Sequence, residues 1–145
     1  MNTHAADTLP ERPRIQRPAA YIVNLSPLSS PGTHWVCFFF PVTGLPEYFD
    51  TFSFDIPSYF WNFIGQRYKH NTKIVQYPLN TTCGQHVIYY IYQRCKNISM
   101  EAILDGYNST DLFLNDVLVN QIVNQNFGLC LSLVNEKFIN EQITV

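Results

Sequence analysis

Cys83, His34 and Asp50 are the residues whose types and placement fit nucleophilic chemistry. Cys83 stands in "PLNTTCGQHVIYY", where a polar, turn-forming run gives way to a long apolar segment. The thiolate is the reactive form of cysteine. A helix N-terminus favours it through oriented N–H groups and the helix dipole. Gly84 beside it lets another backbone approach closely. The competing reading of Cys83 is a small hydrophobe packed in the core.

A nucleophilic thiol needs a base, and the base needs a third group to orient it. His4 lies in a polar N-terminal stretch and His70 in the polar loop "KHNT". His86 follows Cys83 by three residues, one helical turn deeper, which suits a capping or core histidine. His34 instead enters an apolar strand at the boundary between loop and sheet. Asp50 lies at the far end of the segment expected to pair with that strand, so its carboxylate falls beside the His34 ring. Glu47, at the start of the same segment, is the rival carboxylate. Cys83 and His86 also form a C-x-x-H pair, but no second pair accompanies it and no metal site is expected.

The elements that must position these residues follow from the pattern of apolar residues. Residues 1–19 are polar and proline-bearing and read as an extended N-terminal arm, with a single domain over 20–145. "AYIVNL" (20–25) is a short strand, and "THWVCFFFPV" (33–42) is apolar on both faces, as a buried central strand should be. "EYFDTF" (47–52) reads as its hairpin partner. "IPSYFWNFIGQRY" (56–68) reads as a helix with Pro57 near its first position, and "TKIVQY" (72–77) as a further strand. From Cys83 to Arg94 the chain is apolar nearly all round, which marks a helix in the centre of the protein. Ser99 caps a short helix through "MEAILDGY". Asp111 starts another, with Leu114, Leu118 and Ile122 at helical spacing and Gly128 as its stop. "LCLSLV" (129–134) fits strand or helix. Strands first and helices after give an α+β fold, a small mixed sheet against a central helix and further helices.

Composition narrows the function classes. With 46% hydrophobic and 15% aromatic residues, the chain can bury a sizeable core. A net charge of −2 gives no electrostatic footprint for nucleic acid. No apolar run is long enough for a membrane span, and the N-terminus lacks the apolar stretch of a signal peptide. An intracellular protein with four reduced cysteines is expected. Cys37, Cys95 and Cys130 read as packing residues. The four N-x-S/T sequons read as accidents of an Asn-rich composition.

The order "GTHW" (32–35), "EYFDTF" (47–52), then Gln76 seven residues before "CG" (83–84) resembles the adenovirus-protease (adenain) family. The look is nearest to adenain-like proteases of Polinton/Maverick elements and related viruses, through "YIVNL", "PGTHWV" and "ISMEAI". The resemblance covers roughly residues 8 to 128. It implies a papain-like, adenain-type fold and a cysteine endopeptidase that processes capsid or core precursors at glycine-rich sites. By position it makes Cys83 the nucleophile, His34 the base and Asp50 its orienter. It makes Gln76 an oxyanion donor, and Trp35 and Gly84 substrate-binding residues, with core packing the rival role for Trp35. No cofactor is implied. A peptide activator is compatible with the family. Its disulfide-linked form is disfavoured because no cysteine lies between Cys37 and Cys83, and DNA activation is disfavoured by the acidic charge. The implied partners are viral or virus-like structural precursors met by a monomer in the host nucleus or the virion. The rival functions are a deSUMOylase-like isopeptidase and a non-catalytic capsid-binding module.

Overall fold

The structure, a computed structural model, describes residues 2–12 and 15–143, with side chains over 3–12 and 15–127. Five strands form one mixed sheet in chain order: β1 (Asn2–His4), β2 (Ala19–Asn24), β3 (Trp35–Phe40), β4 (Glu47–Phe49) and β5 (Lys69–His70). The two outer pairs are parallel, whereas β3 runs antiparallel to both its neighbours. β3 is central and apolar on both faces because both faces are covered. Cys37 and Phe39 pack into one cluster, and Val36, Phe38 and Phe40 into the other. The fold is α+β.

The first cluster lies against three helices: α2 (Cys83–Cys95), α3 (Met100–Asp105) and α4 (Leu112–Ile143). The second is roofed by a 3-10 turn (Ser58–Phe60) that leads into α1 (Trp61–Ile64). Phe38 meets Phe60 and Phe63 edge-on at 5.1 and 5.2 Å between ring centres, a geometry that aromatic quadrupoles favour. Gly65, at φ 92°, turns the chain out of α1 in a conformation that a side chain would strain. The helix expected over 56–68 is therefore only this short turn-and-helix.

Other expectations are corrected in the same way. The run 72–77 is not a strand, and the edge position is taken by Lys69–His70. Val75 and Gln76 instead direct their N–H groups at the single carbonyl of Thr51, at 2.9 and 3.4 Å. The N-terminal segment, read as an extended arm, lies against the sheet. β1 pairs with β2, and Ala6, Leu9 and Ile15 pack against the second cluster. α4 passes through Gly128 without stopping and includes 129–134. A glycine inside a helix costs only about 1 kcal/mol, and no proline follows to enforce an end. The helical stripe Leu114–Leu118 is solvent-facing, at 51% and 37% exposure, while Asn115, Asp116, Val119 and Val123 are buried.

The centre of α2 is clamped to β4. Phe49 stacks on Tyr90 at 4.4 Å, and Tyr90 Oη donates to Glu47 Oε2 at 2.6 Å. Arg94 closes a two-pronged pair with Glu47, Nε to Oε2 at 2.8 Å and a terminal nitrogen to Oε1 at 3.0 Å. Glu47 is thus a structural anchor, and the rival carboxylate of the sequence reading faces away from His34. Glu47→Ala leaves the part-buried Arg94 cation unpaired, and breaking such a pair costs about 3–5 kcal/mol. Urea denaturation should show a loss of that size, with little change in the specific reactivity of the folded fraction.

Candidate active site

The β3–β4 register pairs Cys37 with Phe49 and Phe38 with Tyr48. Extended by the same pairing, it sets Asp50 opposite Val36 and Phe52 opposite His34. His34 is therefore the diagonal neighbour of Asp50 on the same face, and its Nε2 lies 3.1 Å from Asp50 Oδ1. The Phe52 ring covers the imidazole at 5.3 Å between centres. The backbone of His34 is fixed too, because its carbonyl accepts from Leu25 N at 2.9 Å. The loop before it is folded around Asn24, whose Oδ1 accepts from Ser26 and Thr33 N–H groups. A Cβ on Gly32 would run into the Asn24 amide, which would have to shift.

Asp50 is wholly buried, yet each part of it is occupied. Oδ1 also accepts from Phe52 N at 2.7 Å, and Oδ2 accepts from Tyr48 Oη at 3.4 Å. Its backbone is held by Asn71, which accepts from Asp50 N at 2.9 Å and donates to Asp50 O at 2.6 Å. Asn71, Thr51 and Phe52 escaped the sequence reading. Phe52 alone left a signal, since two residues from Asp50 in a strand lies on the same face.

Cys83 is the first residue of α2, and no side-chain cap from Thr82 takes up the first-turn N–H groups. They remain for the thiol and for whatever approaches it. Burial by itself raises the Cys83 pKa. Hydrogen bonds from His34 and from the Trp35 and Gly84 backbones, with the His34 charge, outweigh it and bring the pKa below the ordinary thiol value. Burial likewise pulls the His34 pKa down. The bonds and charges of Asp50 and Cys83 outweigh it and raise the pKa to about 9. With Nε2 committed to Asp50, Nδ1 is the ring nitrogen left for Cys83. The arrangement favours a thiolate beside an imidazolium.

The thiolate forms as pH rises through the depressed Cys83 pKa, and the imidazolium is lost as pH passes about 9. Cys83 alkylation by iodoacetamide should therefore set in at lower pH than that of an ordinary thiol. Any reaction that needs both members of the pair should be bell-shaped, with its alkaline limb near about 9.

Trp35 is half-buried against the first cluster and presents its Cδ1 edge to Gly84. A Cβ on Gly84 would sit 3.8 Å from that edge, an ordinary contact. The fold itself therefore tolerates alanine there. Gln76 is buried at 1% exposure, with Oε1 accepting from Thr51 Oγ1 at 2.7 Å and Nε2 donating to Asn80 O at 2.7 Å. These bonds settle which end of the amide is nitrogen and leave its second hydrogen without a partner among the described residues. His86 is a core histidine, bonded to Tyr107 and Asp116. Cys37 is buried, Cys95 is exposed, and Cys130 lies outside the described side chains. Among the described residues no cluster of potential ligands suits a metal ion, and no helix is long and apolar enough to cross a membrane.

No protein-family profile and no curated protein sequence matches the chain. Among solved structures, the crystal structure of the selenomethionine form of ASFV pS273R protease superposes with a TM-score of 0.49 at 19% identity. That alignment covers 64% of this chain and 40% of the other. The chain therefore spans 40% of the length of that protease.

Proposed function

We propose that this protein is a cysteine endopeptidase of the adenain type that cleaves structural precursors of a virus or virus-like element after glycine-rich sites. The observation that carries the reading is the Cys83–His34–Asp50 constellation: a depressed thiol at a helix N-terminus, bonded to an imidazole that a buried carboxylate holds. A papain-like arrangement of sheet and central helix suits it.

In the proposed reaction the Cys83 thiolate attacks the scissile carbonyl carbon, and the carbonyl π pair moves onto oxygen. The Cys83 N–H and the second Gln76 amide hydrogen receive that oxyanion. Collapse expels the amine, which takes the proton from His34 Nδ1 and leaves a thioester on Cys83. Water then gives a proton back to His34 and attacks the thioester. The acid departs, and the thiolate–imidazolium pair is restored. Asp50 stays charged and keeps Nε2–H aligned throughout.

Gly84 supports a substrate with little side chain near the cut. Glycine is a poor helix former, and alanine would fit the protein itself, so the residue keeps open the space between Trp35 and the nucleophile. A profile of cleaved peptides from a random library tests this specificity. Glycine immediately before the cut is expected, and a preference for a large residue there contradicts it. In the same assay Gln76→Ala should lower kcat by about 10²–10³, the usual loss on removing one oxyanion donor, without unfolding the protein. Action as a monomer, in the host nucleus or virion, without metal or cofactor, completes the proposal.

A further inference from the structure

The proposed oxyanion donor sits in a stretch with no secondary structure of its own, since residues 71–82 fall between β5 and α2. A glutamine on such a segment has three free torsions, and a donor helps catalysis only when it is aimed before charge develops. The Gln76 amide is aimed by Asn80, whose carbonyl accepts from Nε2 at 2.7 Å. Asn80 closes a turn with Tyr77, N to O at 3.1 Å. Both ends of that turn are gripped by one carboxylate. Asp116 Oδ2 accepts from Asn80 Nδ2 at 2.6 Å, and Oδ1 accepts from Tyr77 N at 3.4 Å.

Asp116 is itself held from behind. His86 Nε2 donates to Oδ1 at 2.8 Å, and Tyr107 Oη donates to His86 Nδ1 at 3.0 Å. Burial keeps His86 neutral against the pull of Asp116, which fits this tautomer. Asp116 is 1% exposed and His86 fully buried. A carboxylate so far from water is unfavourable unless its lone pairs are used, and here they are used on His86 and on the turn that follows Gln76. The cleavage chemistry needs none of these residues directly.

We infer that Asp116, backed by His86 and Tyr107, is a positioning residue that clamps the Tyr77–Asn80 turn and thereby aims the Gln76 amide at the developing oxyanion. The inference rests on the role proposed for Gln76.

A double-mutant cycle tests it. Hydrolysis of a fluorogenic peptide ending in Gly-Gly before the dye is measured for Gln76→Ala, Asn80→Ala and the double variant. Thermal denaturation and the iodoacetamide alkylation rate of Cys83 are followed in parallel. Asn80→Ala should lower kcat by about tenfold or more with KM and alkylation rate little changed. In the Gln76→Ala background it should cost nothing further, which a general structural defect would not reproduce. Asp116→Asn, nearly isosteric, sets an amide against the Asn80 amide and should act in the same way. Losses that multiply in the double variant overturn the inference, as does wild-type kcat for both Asn80→Ala and Asp116→Asn while Gln76→Ala is slow. Wild-type kcat for Gln76→Ala overturns the oxyanion role itself, and the inference with it. A readout without turnover comes from the side-chain amide NMR signals of Gln76 in Cys83→Ala protein. The proton bonded to the Asn80 carbonyl should resonate well downfield of its partner, and the separation should narrow toward that of a solvated amide once Asn80 is alanine. Unaltered signals count against the clamp.

Discussion

Cys83→Ala is expected to abolish peptide hydrolysis while leaving the protein folded. The attacking atom is removed, and neither His34 nor Asp50 offers another nucleophile at the same point. The side chain deleted is small, and α2 keeps its clamp on β4 through Phe49, Tyr90, Glu47 and Arg94, so the melting temperature should barely move. In the unaltered protein iodoacetamide should label Cys83 ahead of the other cysteines. Cys37 is shielded, and burial pushes its thiol well above the ordinary value. Cys95 is exposed but has no imidazole beside it among the described side chains. Turnover retained by Cys83→Ala, or first labelling at Cys37 or Cys95, would remove Cys83 from its role.

The next largest effect is expected at Asp50, where two substitutions should differ in kind. Asp50→Ala strips the imidazole of its partner and opens a hole beneath it. A fall in kcat of about 10²–10⁴ is expected, the range over which a positioned acid–base group contributes. Asp50→Asn is milder, because an amide oxygen at the Oδ1 position can still accept from both His34 Nε2 and Phe52 N. What it loses is charge. Since Asp50 is part of what lifts His34 to about 9, the alkaline limb of the rate profile should move to lower pH in Asp50→Asn. An unchanged alkaline limb, or equal losses for alanine and asparagine, would show that the carboxylate charge does not act on His34.

Much of the site was legible because two local signals coincide with the fold. A turn running into an apolar helix placed Cys83, and strand spacing placed His34 against Asp50. Glu47 against Asp50 could not be decided that way, since either end of a short strand can face a neighbour. The structure separates them by the partner that each meets, Arg94 and Tyr90 at one end and His34 at the other. Gln76 was visible only through its resemblance-based spacing to Cys83, because its hydrogen bonds go to Thr51 and to the Asn80 backbone.

The errors share a physical cause. Hydrophobic periodicity predicts which face of a helix is buried only when the buried residues are apolar. On α4 the buried face begins with Asn115 and Asp116. Asn115 is there to donate to the carbonyls of Val75 and Asn108, both at 2.9 Å, and Asp116 to receive His86 and Asn80. Leu114 and Leu118 are left outside. For the same reason 72–77 looked like a strand. Ile74, Val75 and Tyr77 are β-prone, but the Val75 and Gln76 N–H groups converge on Thr51 instead of forming a ladder, while the polar pair Lys69–His70 takes the sheet edge.

The most direct measurement of the central claim is trapping with a peptide vinyl sulfone that ends in glycine, followed by mass mapping of the modified residue. A single adduct on Cys83 is predicted, formed fastest between the depressed thiol pKa and about 9. It should be nearly absent when His34 is replaced by alanine. Modification spread over Cys37, Cys95 and Cys130, or an adduct on Cys83 that forms equally fast without His34, would contradict the thiolate–imidazolium pair on which the proposed activity stands.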